Sequence, residues 1–362
     1  MLIVDAHQDL AWNTLTFGRD YTLPVSETRL REQGSVAVEH NGDTLLGWPE
    51  YQRGQVGVIF SSLFASPARL RSGDWDSQTY RDFMEANARY RAQLDVYHRL
   101  VDQHSDKFRL VKGSDDLQEV VDHWKQNTAQ EHPIGLVILM EGAEGVQEPS
   151  ELGEWWDGGV RLIGPAWAGN RYCGGTREPG PLTSEGYALL DGMADLGFIL
   201  DISHMDEQAA LQALDHYPST IVATHANAIT LLKGLDTNRH LSDRVIRMLI
   251  ERGGVIGIVP VNPFLRPGWR RSDSRQEVTL HHVVAQIDYI CQLAGNARHV
   301  GLGTDYDGGF GLQSVPTGIE TIADLQNLSP ILAEKGYTED DTAAILGENW
   351  LSILRRGLPA SS

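Results

Sequence analysis

The stretch Ile134-Gly-Leu-Val-Ile-Leu-Met-Glu141 is the most apolar run of the 362-residue chain, and it ends on a carboxylate. Its short, nearly continuous apolar character predicts a strand buried on both faces, as the strands of parallel sheets are. An unpaired charge at the end of such a strand would cost several kcal/mol, so Glu141 needs a cationic partner. A metal ion or a salt bridge at the edge of the sheet would each satisfy it.

Seven further short apolar runs are spaced along the chain, with helical patterns between them. Eight buried strands that alternate with helices indicate a parallel sheet, and eight strands are the number that closes a (β/α)8 barrel. We therefore predict an α/β fold of the TIM-barrel type, like that of metal-dependent hydrolases, forming one domain over residues 1–362. The predicted strands are residues 2–4, 56–60, 134–140, 160–163, 198–200, 220–223, 255–259 and 300–302.

Capping residues mark the ends of several predicted helices. Thr183 precedes a periodic segment that stops near Gly197, and Ser242 precedes another. A hydroxyl before the first turn and a glycine after the last are typical helix boundaries. Two segments rich in Arg, Gly, Pro and Ser, residues 66–80 and 261–280, predict long loops on the rim of the barrel.

Composition narrows the class of protein. The net charge of −19 repels phosphate backbones, so we expect no nucleic-acid partner. Two cysteines, Cys173 and Cys291, give no disulfide framework and suit a reducing compartment. We find no signal-peptide pattern and no run of the roughly 20 apolar residues that a membrane helix requires. These features predict a cytoplasmic protein without a membrane partner.

Histidines and carboxylates follow the predicted strands. The stretch Asp5-Ala-His7-Gln-Asp9 follows the first predicted strand directly. Alternate side chains of an extended chain project to the same side, so His7 and Asp9 could bind one cation. A His-x-Asp pair is, however, also common on protein surfaces. His204 and His225 follow two consecutive strands, and neutral imidazole is a favoured zinc ligand. Either alone could be a structural histidine, but all three lie where barrel active sites are built.

The motif Gly301-Leu-Gly-Thr-Asp305-Tyr-Asp307-Gly308 follows the last predicted strand. It is not a dinucleotide fingerprint, because Tyr306 stands where the third glycine belongs. A carboxylate at this position suits a general acid/base beside a metal-activated water. Asp305 is therefore the candidate proton carrier.

These motifs together resemble the membrane (renal) dipeptidases, which are zinc peptidases on an α/β barrel. The similarity spans most of the chain and is weakest around residues 66–130 and 261–280. No single piece is specific, but the set and its order are. The matching pieces are D-A-H-Q-D-L at residues 5–10, M-E-G at 140–142, D-I-S-H at 201–204, T-H-A-N-A at 224–228, N-R-H-L-S-D at 238–243 and G-L-G-T-D-Y-D-G at 301–308.

The resemblance implies a role for each matching residue. It implies two zinc ions per chain, and Glu141 would bridge them. The ligands of one zinc would be His7 and Asp9, and those of the other His204 and His225. Asp305 matches the family's acid/base, which also contacts substrate, and Arg239 matches the arginine that holds the substrate carboxylate. The family often forms dimers, so a homodimer is also implied.

One position departs from the family pattern. Well-known members carry a substrate-binding histidine after the fourth strand, and Trp167 occupies the corresponding place here. Tryptophan can stack or donate one hydrogen bond, but it cannot carry a proton as imidazole does. We expect Trp167 to contact substrate and to alter which side chains fit.

The predicted function is hydrolysis of dipeptides by a hydroxide that two zinc ions activate. One alternative is a barrel amidohydrolase acting on another amide or on a cyclic amide, whose metals are often bridged by a carboxylated lysine. Of the five lysines only Lys112 follows a short apolar run, and that run is not among the eight strands. A second alternative is a catalytically silent relative that binds a peptide-like ligand.

Overall fold

Eight parallel strands form a barrel in the computed structural model, which describes residues 1–126 and 131–360. Each strand pairs with the next along the chain, β8 pairs with β1, and a single bridge between Ala223 and Ile256 joins β6 to β7. The predicted α/β barrel is thus confirmed. The strands are β1 (Ile3–Gln8), β2 (Val56–Phe64), β3 (Ile134–Glu141), β4 (Val160–Gly164), β5 (Ile199–Asp201), β6 (Ile221–Val222), β7 (Ile256–Ile258) and β8 (Val300–Leu302).

All eight predicted runs overlap a strand of the barrel, and β1 and β2 extend four residues further toward their carboxyl ends than predicted. One further strand of the main sheet was not predicted: Phe108–Leu110 pairs in parallel with the first residues of β3. Arg109 interrupts the short apolar run that precedes Lys112, so this run was not among the eight predicted strands. The nearby Lys112 packs against Gly159, directly before β4 begins, and so lies at the amino end of that strand.

Helices separate the barrel strands. Thr183 and Ser242 cap their helices as predicted, each accepting a backbone N–H bond, and Gly197 ends the first in the left-handed conformation. Residues 66–80 and 261–280 are mostly loops, although the first contributes a two-stranded pair, Ser66–Pro67 with Thr79–Tyr80. A second small pair joins Cys173–Gly175 to Glu178–Leu182. The α-helices are Leu10–Phe17, Val25–Arg31, Val36–His40, Trp48–Gly54, Phe83–Gln103, Ser114–Lys125, Leu152–Asp157, Ser184–Leu196, Glu207–His216, Asp243–Glu251, Asn262–Leu265, Leu280–Ala294, Leu328–Glu334, Glu339–Ala343 and Asn349–Gly357.

Strand β1 shows how the sheet separates packing from chemistry. Val4 and Ala6 are fully buried in a hydrophobic cluster that includes residues of the helices Ser114–Lys125 and Asn349–Gly357. The alternate residues Asp5 and His7 face the other way, and both contact polar groups. Apolar packing therefore fixes the strand, and the residues between present their polar groups at the opposite face.

Glycines allow the strands to approach closely where β6 ends. A Cβ atom at Gly257 or Gly303 would lie 1.9 Å or 1.8 Å from the carbonyl oxygen of Thr224, which no side chain could tolerate. Gly303 thus serves close packing beside Thr224 and His225, while Gly301 of the same motif packs against the ring of Trp350. Among the described residues, no helix combines the length and apolarity needed to cross a bilayer.

Candidate active site

Glu141, the last residue of β3, lies at the centre of a cluster of histidines at the carboxyl end of the barrel. One carboxylate oxygen, Oε2, lies 3.5 Å from Nε2 of His7. The other, Oε1, lies 3.0 Å from Nε2 of His204 and 3.3 Å from Nε2 of His225. The two oxygens of one carboxylate therefore face two different sets of imidazoles.

Asp9 and Asp305 complete the side of the cluster next to His7. Nε2 of His7 lies 3.7 Å from Oδ1 of Asp9, and the hydroxyl of Ser62 donates to the same Asp9 oxygen. The donor atoms of His7, Asp9 and Asp305 all lie within 4.8 Å of one another, as do those of His7, Glu141 and His225. The six residues predicted for metal binding and proton transfer thus converge at one mouth of the barrel.

Burial and mutual charge set the protonation of the cluster. Burial raises the pKa of Glu141, but the charge of His7 and the close contacts with His204 and His225 outweigh it and hold that pKa well below its ordinary value. Burial lowers the pKa of His204 to about 4, helped by the positive charge of Arg239. The pKa of His225 is also well below its ordinary value, because burial is reinforced by His7 and Arg239. Burial lowers the pKa of His7, but the charges of Glu141 and Asp9 outweigh it and raise that pKa well above its ordinary value, so a bound cation would displace a proton from His7. Neutral His204 and His225 beside an ionised Glu141 are already in the state that binds a cation.

Unsatisfied donor atoms indicate that the cluster fits metal ions. Both ring nitrogens of His7 are buried and have no hydrogen-bond partner among the described residues. Nε2 of His204 and Nε2 of His225 lie 3.0 Å apart, both directed at Oε1 of Glu141. Three imidazoles with carboxylate oxygens form a ligand set that zinc prefers. Among the described residues, no lysine or arginine lies within salt-bridge distance of Glu141, so its cationic partner would be an imidazole or a metal ion.

The backbone is strained at two of these residues. His204 has φ of 65° and Asp305 has φ of 58°, in the left-handed region that non-glycine residues seldom adopt. Strain of this kind concentrates at functional sites. Burial raises the pKa of Asp305 well above its ordinary value; the charge of His7 opposes the shift, and that of Asp9 adds to it.

Arg239 lies beside the cluster, in the loop between β6 and the next helix. It is only 5% exposed, and one guanidinium nitrogen, Nη2, donates to the carbonyl of His225 at 2.9 Å. The other, Nη1, is buried without a hydrogen-bond partner among the described residues. The alternative of a surface arginine paired with Asp236 or Asp243 is therefore wrong, and one edge of the guanidinium is left to bind an anion.

A cavity of about 290 Å³ opens in front of the cluster and is lined by both Arg239 and Trp167. The Trp167 ring centroid lies 5.2 Å from that of Phe64 and 6.1 Å from that of His204. Trp12 and Phe264 also line the cavity, and the sequence did not single them out. Trp12 lies three residues after Asp9, about one helical turn, and that spacing was the available signal.

Asp307 stabilises the loop that follows β8 and does not line the cavity. Its carboxylate is fully buried, lies 3.0 Å from Nη1 of Arg19, and accepts hydrogen bonds from Tyr21, Thr44 and the backbone of Leu45. A buried carboxylate already engaged by four donors is not free to carry a proton, so Asp307 is a poor substitute for Asp305 in proton transfer.

Asp307→Ala is expected to lower the free energy of unfolding by about 3 kcal/mol, because Arg19 would keep only Glu32 as a counter-ion and the buried donors of Tyr21, Thr44 and Leu45 would lose their acceptor. The shift in the midpoint of urea unfolding measures this. Asp20→Ala, at an exposed position beside Arg19, serves as the control and should change stability little. Equal midpoints for the two variants would show that the buried pair contributes nothing.

Comparisons with known proteins identify the family of this chain. The model of one protein family, membrane dipeptidase (peptidase family M19), matches residues 1–358. An uncharacterized protein of Klebsiella pneumoniae from the pqqA 5′ region is 31% identical, over 73% of this chain and 94% of its own length. An uncharacterized dipeptidase of Schizosaccharomyces pombe is 28% identical, over 83% of this chain and 70% of its own.

Solved structures agree on the fold. A metallopeptidase of Rhodobacter sphaeroides, liganded with a phosphinate mimic of the dipeptide L-Ala-D-Ala, superposes with a TM-score of 0.79 at 21% identity, and 99% of each chain is covered. The match of the family model over nearly the whole length decides the classification. This chain belongs to the membrane dipeptidase family, peptidase family M19.

Proposed function

We propose that this chain is a dipeptidase that uses two zinc ions. The single observation that carries the proposal is that the two carboxylate oxygens of Glu141 face different imidazoles. Oε2 faces His7, and Oε1 faces His204 and His225. A carboxylate that serves two sets of imidazoles is arranged to bridge two cations. The lysine-bridged alternative has no comparable support, because Lys112 lies at the amino end of β4.

The ligands divide into two groups. His7 and Asp9 would hold one zinc ion, His204 and His225 the other, and Glu141 both. Bound zinc supplies a Lewis acid that polarises the scissile carbonyl and makes water a nucleophile at neutral pH. The membership of the chain in a dipeptidase family supports the same reaction.

Asp305 would transfer the proton during hydrolysis, and Arg239 would orient the substrate. Water adds to the carbonyl carbon of the peptide bond, and Asp305 accepts the proton that the water loses. Asp305 then delivers that proton to the departing nitrogen as the carbon–nitrogen bond breaks, which yields two amino acids. The free edge of Arg239 holds the C-terminal carboxylate and so orients the peptide. Trp167 would favour apolar or flat side chains, since it lines the cavity with Phe64 and Trp12.

Metal analysis combined with a dipeptide panel tests the proposal. The purified protein should contain up to two zinc ions and hydrolyse dipeptides, and chelation should abolish hydrolysis until zinc is restored. Hydrolysis of cyclic amides with no turnover of dipeptides would instead indicate an amidohydrolase. Bound metal without any turnover would indicate a silent relative.

Dipeptides with an amidated C-terminus should be poor substrates. Loss of the charge-assisted bonds from Arg239 should lower kcat/KM by about 10- to 100-fold, equivalent to 1.5–3 kcal/mol. Arg239→Lys should lower kcat/KM for free dipeptides as well, because a point charge cannot form two aligned bonds. The measurement compares matched free and amidated dipeptides.

Arg244→Lys, at an exposed position in the next helix, is the matched control and should leave kcat/KM unchanged. Equal kcat/KM for free and amidated dipeptides with the wild-type protein would show that Arg239 does not hold the substrate carboxylate. That result would shift the reaction class toward an amidase.

A further inference from the structure

A buried hydrogen-bond relay reaches His225 from the end of β5. The carboxylate of Asp201, the last residue of β5, accepts the Thr224 hydroxyl at Oδ2 with an oxygen–oxygen distance of 2.5 Å. The same Thr224 oxygen lies 2.9 Å from Nδ1 of the adjacent His225. Asp201 is 1% exposed, and Thr224 and His225 are fully buried. The relay is thus shielded from water.

The direction of each hydrogen bond in the relay follows from counting protons. A threonine hydroxyl has one hydrogen and two lone pairs. Its possible acceptors are the Asp201 carboxylate at 2.5 Å, Nδ1 of His225 at 2.9 Å and the Ser203 hydroxyl at 3.3 Å. The shorter, charge-assisted bond to Asp201 takes the hydrogen. Thr224 can then only accept from the ring, so Nδ1 of His225 carries the hydrogen and Nε2 carries the lone pair.

We infer that Thr224, held by Asp201, is a positioning residue that fixes His225 in the tautomer whose free Nε2 lone pair faces Glu141. The part of this inference that concerns metal binding rests on the proposed function, since a lone pair at Nε2 is what a zinc ligand requires. The tautomer itself does not depend on that proposal.

The neighbouring histidine has a similar support. The hydroxyl of Thr176, in the loop between Cys173–Gly175 and Glu178–Leu182, lies 2.9 Å from Nδ1 of His204 and within 3.5 Å of its carbonyl oxygen. Both imidazoles at Oε1 of Glu141 are therefore oriented by a threonine at the opposite nitrogen.

A second aspartate–threonine pair provides a matched control. Asp5, in β1, accepts the backbone N–H of Thr304 at 2.7 Å and its hydroxyl at 2.6 Å, much as Asp201 holds Thr224. Thr304 also directly precedes a residue of the site, Asp305. Its hydroxyl contacts the backbone N–H of Tyr306 and no imidazole. Removing this hydroxyl breaks the same kind of buried bond without touching a histidine.

The test compares Thr224→Val, Thr224→Ser and Thr304→Val. Long-range ¹H–¹⁵N NMR of the zinc-free protein reports which ring nitrogen of His225 carries the hydrogen. We expect Nδ1–H in the wild type, in Thr224→Ser and in Thr304→Val, and a mixture of tautomers in Thr224→Val. Nδ1–H unchanged in Thr224→Val, or Nε2–H in the wild type, would overturn the inference.

Chelator competition then measures zinc affinity in the same variants. Thr224→Val should bind one of the two zinc ions about 10- to 100-fold more weakly, and Thr224→Ser should restore wild-type affinity. Unchanged affinity in Thr224→Val would overturn the role of the relay in metal binding. A wild-type protein that binds no zinc would refute the proposed function, while the NMR result would still decide the tautomer.

Discussion

Glu141→Gln is expected to weaken zinc binding at both sites and to lower kcat/KM for dipeptides by about 10³-fold or more, since the Lewis-acid contribution of the metals amounts to several kcal/mol. The physical reason is the geometry of the carboxylate. Glutamine has one carbonyl oxygen, and its second terminal atom is an amide nitrogen that only donates. Whichever way the amide is oriented, either His7 or the pair His204 and His225 would face an N–H group in place of a lone pair.

The measurement is metal content after dialysis, together with kcat/KM on the best dipeptide of the panel. Glu148→Gln is the matched control, because Glu148 is exposed in the loop that follows β3 and should retain both zinc ions. Two tightly held zinc ions in Glu141→Gln would show that the bridge lies elsewhere. A loss confined to one ion would show that Glu141 serves a single site.

The position of the histidine cluster could be predicted from the sequence because every member lies near the carboxyl end of a strand, as His7 does in β1. Glu141 ends β3, and His204 and His225 follow β5 and β6 within three residues. The carboxyl ends of parallel strands meet at one mouth, so the end of an apolar run is enough to place these side chains together. The same reasoning placed Asp305 after β8.

The loops could not be predicted in the same way. Arg239 lies 14 residues beyond His225, and no periodicity of the sequence reports where such a loop folds. Its inward orientation came from the family resemblance alone, and the buried contact with the carbonyl of His225 supplies the physical reason. Thr176 lies in another loop and Phe264 in the short helix Asn262–Leu265, and their side chains reach the site through tertiary contacts that no local pattern encodes.

Strand ends also limited the prediction. β6 has only two residues, Ile221–Val222, and the barrel closes beside it through one bridge. Sequence alone suggested four residues there, because Thr220 and Ala223 continue the apolar run. The close approach of Gly257 and Gly303 to the Thr224 carbonyl explains how so short a strand still fixes His225.

Asp305→Asn is expected to lower kcat by about 10²-fold or more, the usual scale for loss of a general acid/base. Asparagine keeps the shape of the side chain but cannot accept a proton from water or deliver one to the leaving nitrogen. KM should change much less than kcat, because Arg239 would still hold the substrate carboxylate. Steady-state kinetics on a good dipeptide substrate provide the measurement.

Metal content separates loss of proton transfer from loss of ligands in this variant. Asp305 lies near His7 and Asp9, so a role as a metal ligand would make Asp305→Asn lose zinc. Retention of both ions with a depressed kcat supports proton transfer, whereas loss of zinc in proportion to activity would assign Asp305 to the metal site. A nearly unchanged kcat would contradict both roles. Asp307 would then be a poor substitute, because its carboxylate is already engaged by Arg19, Tyr21 and Thr44.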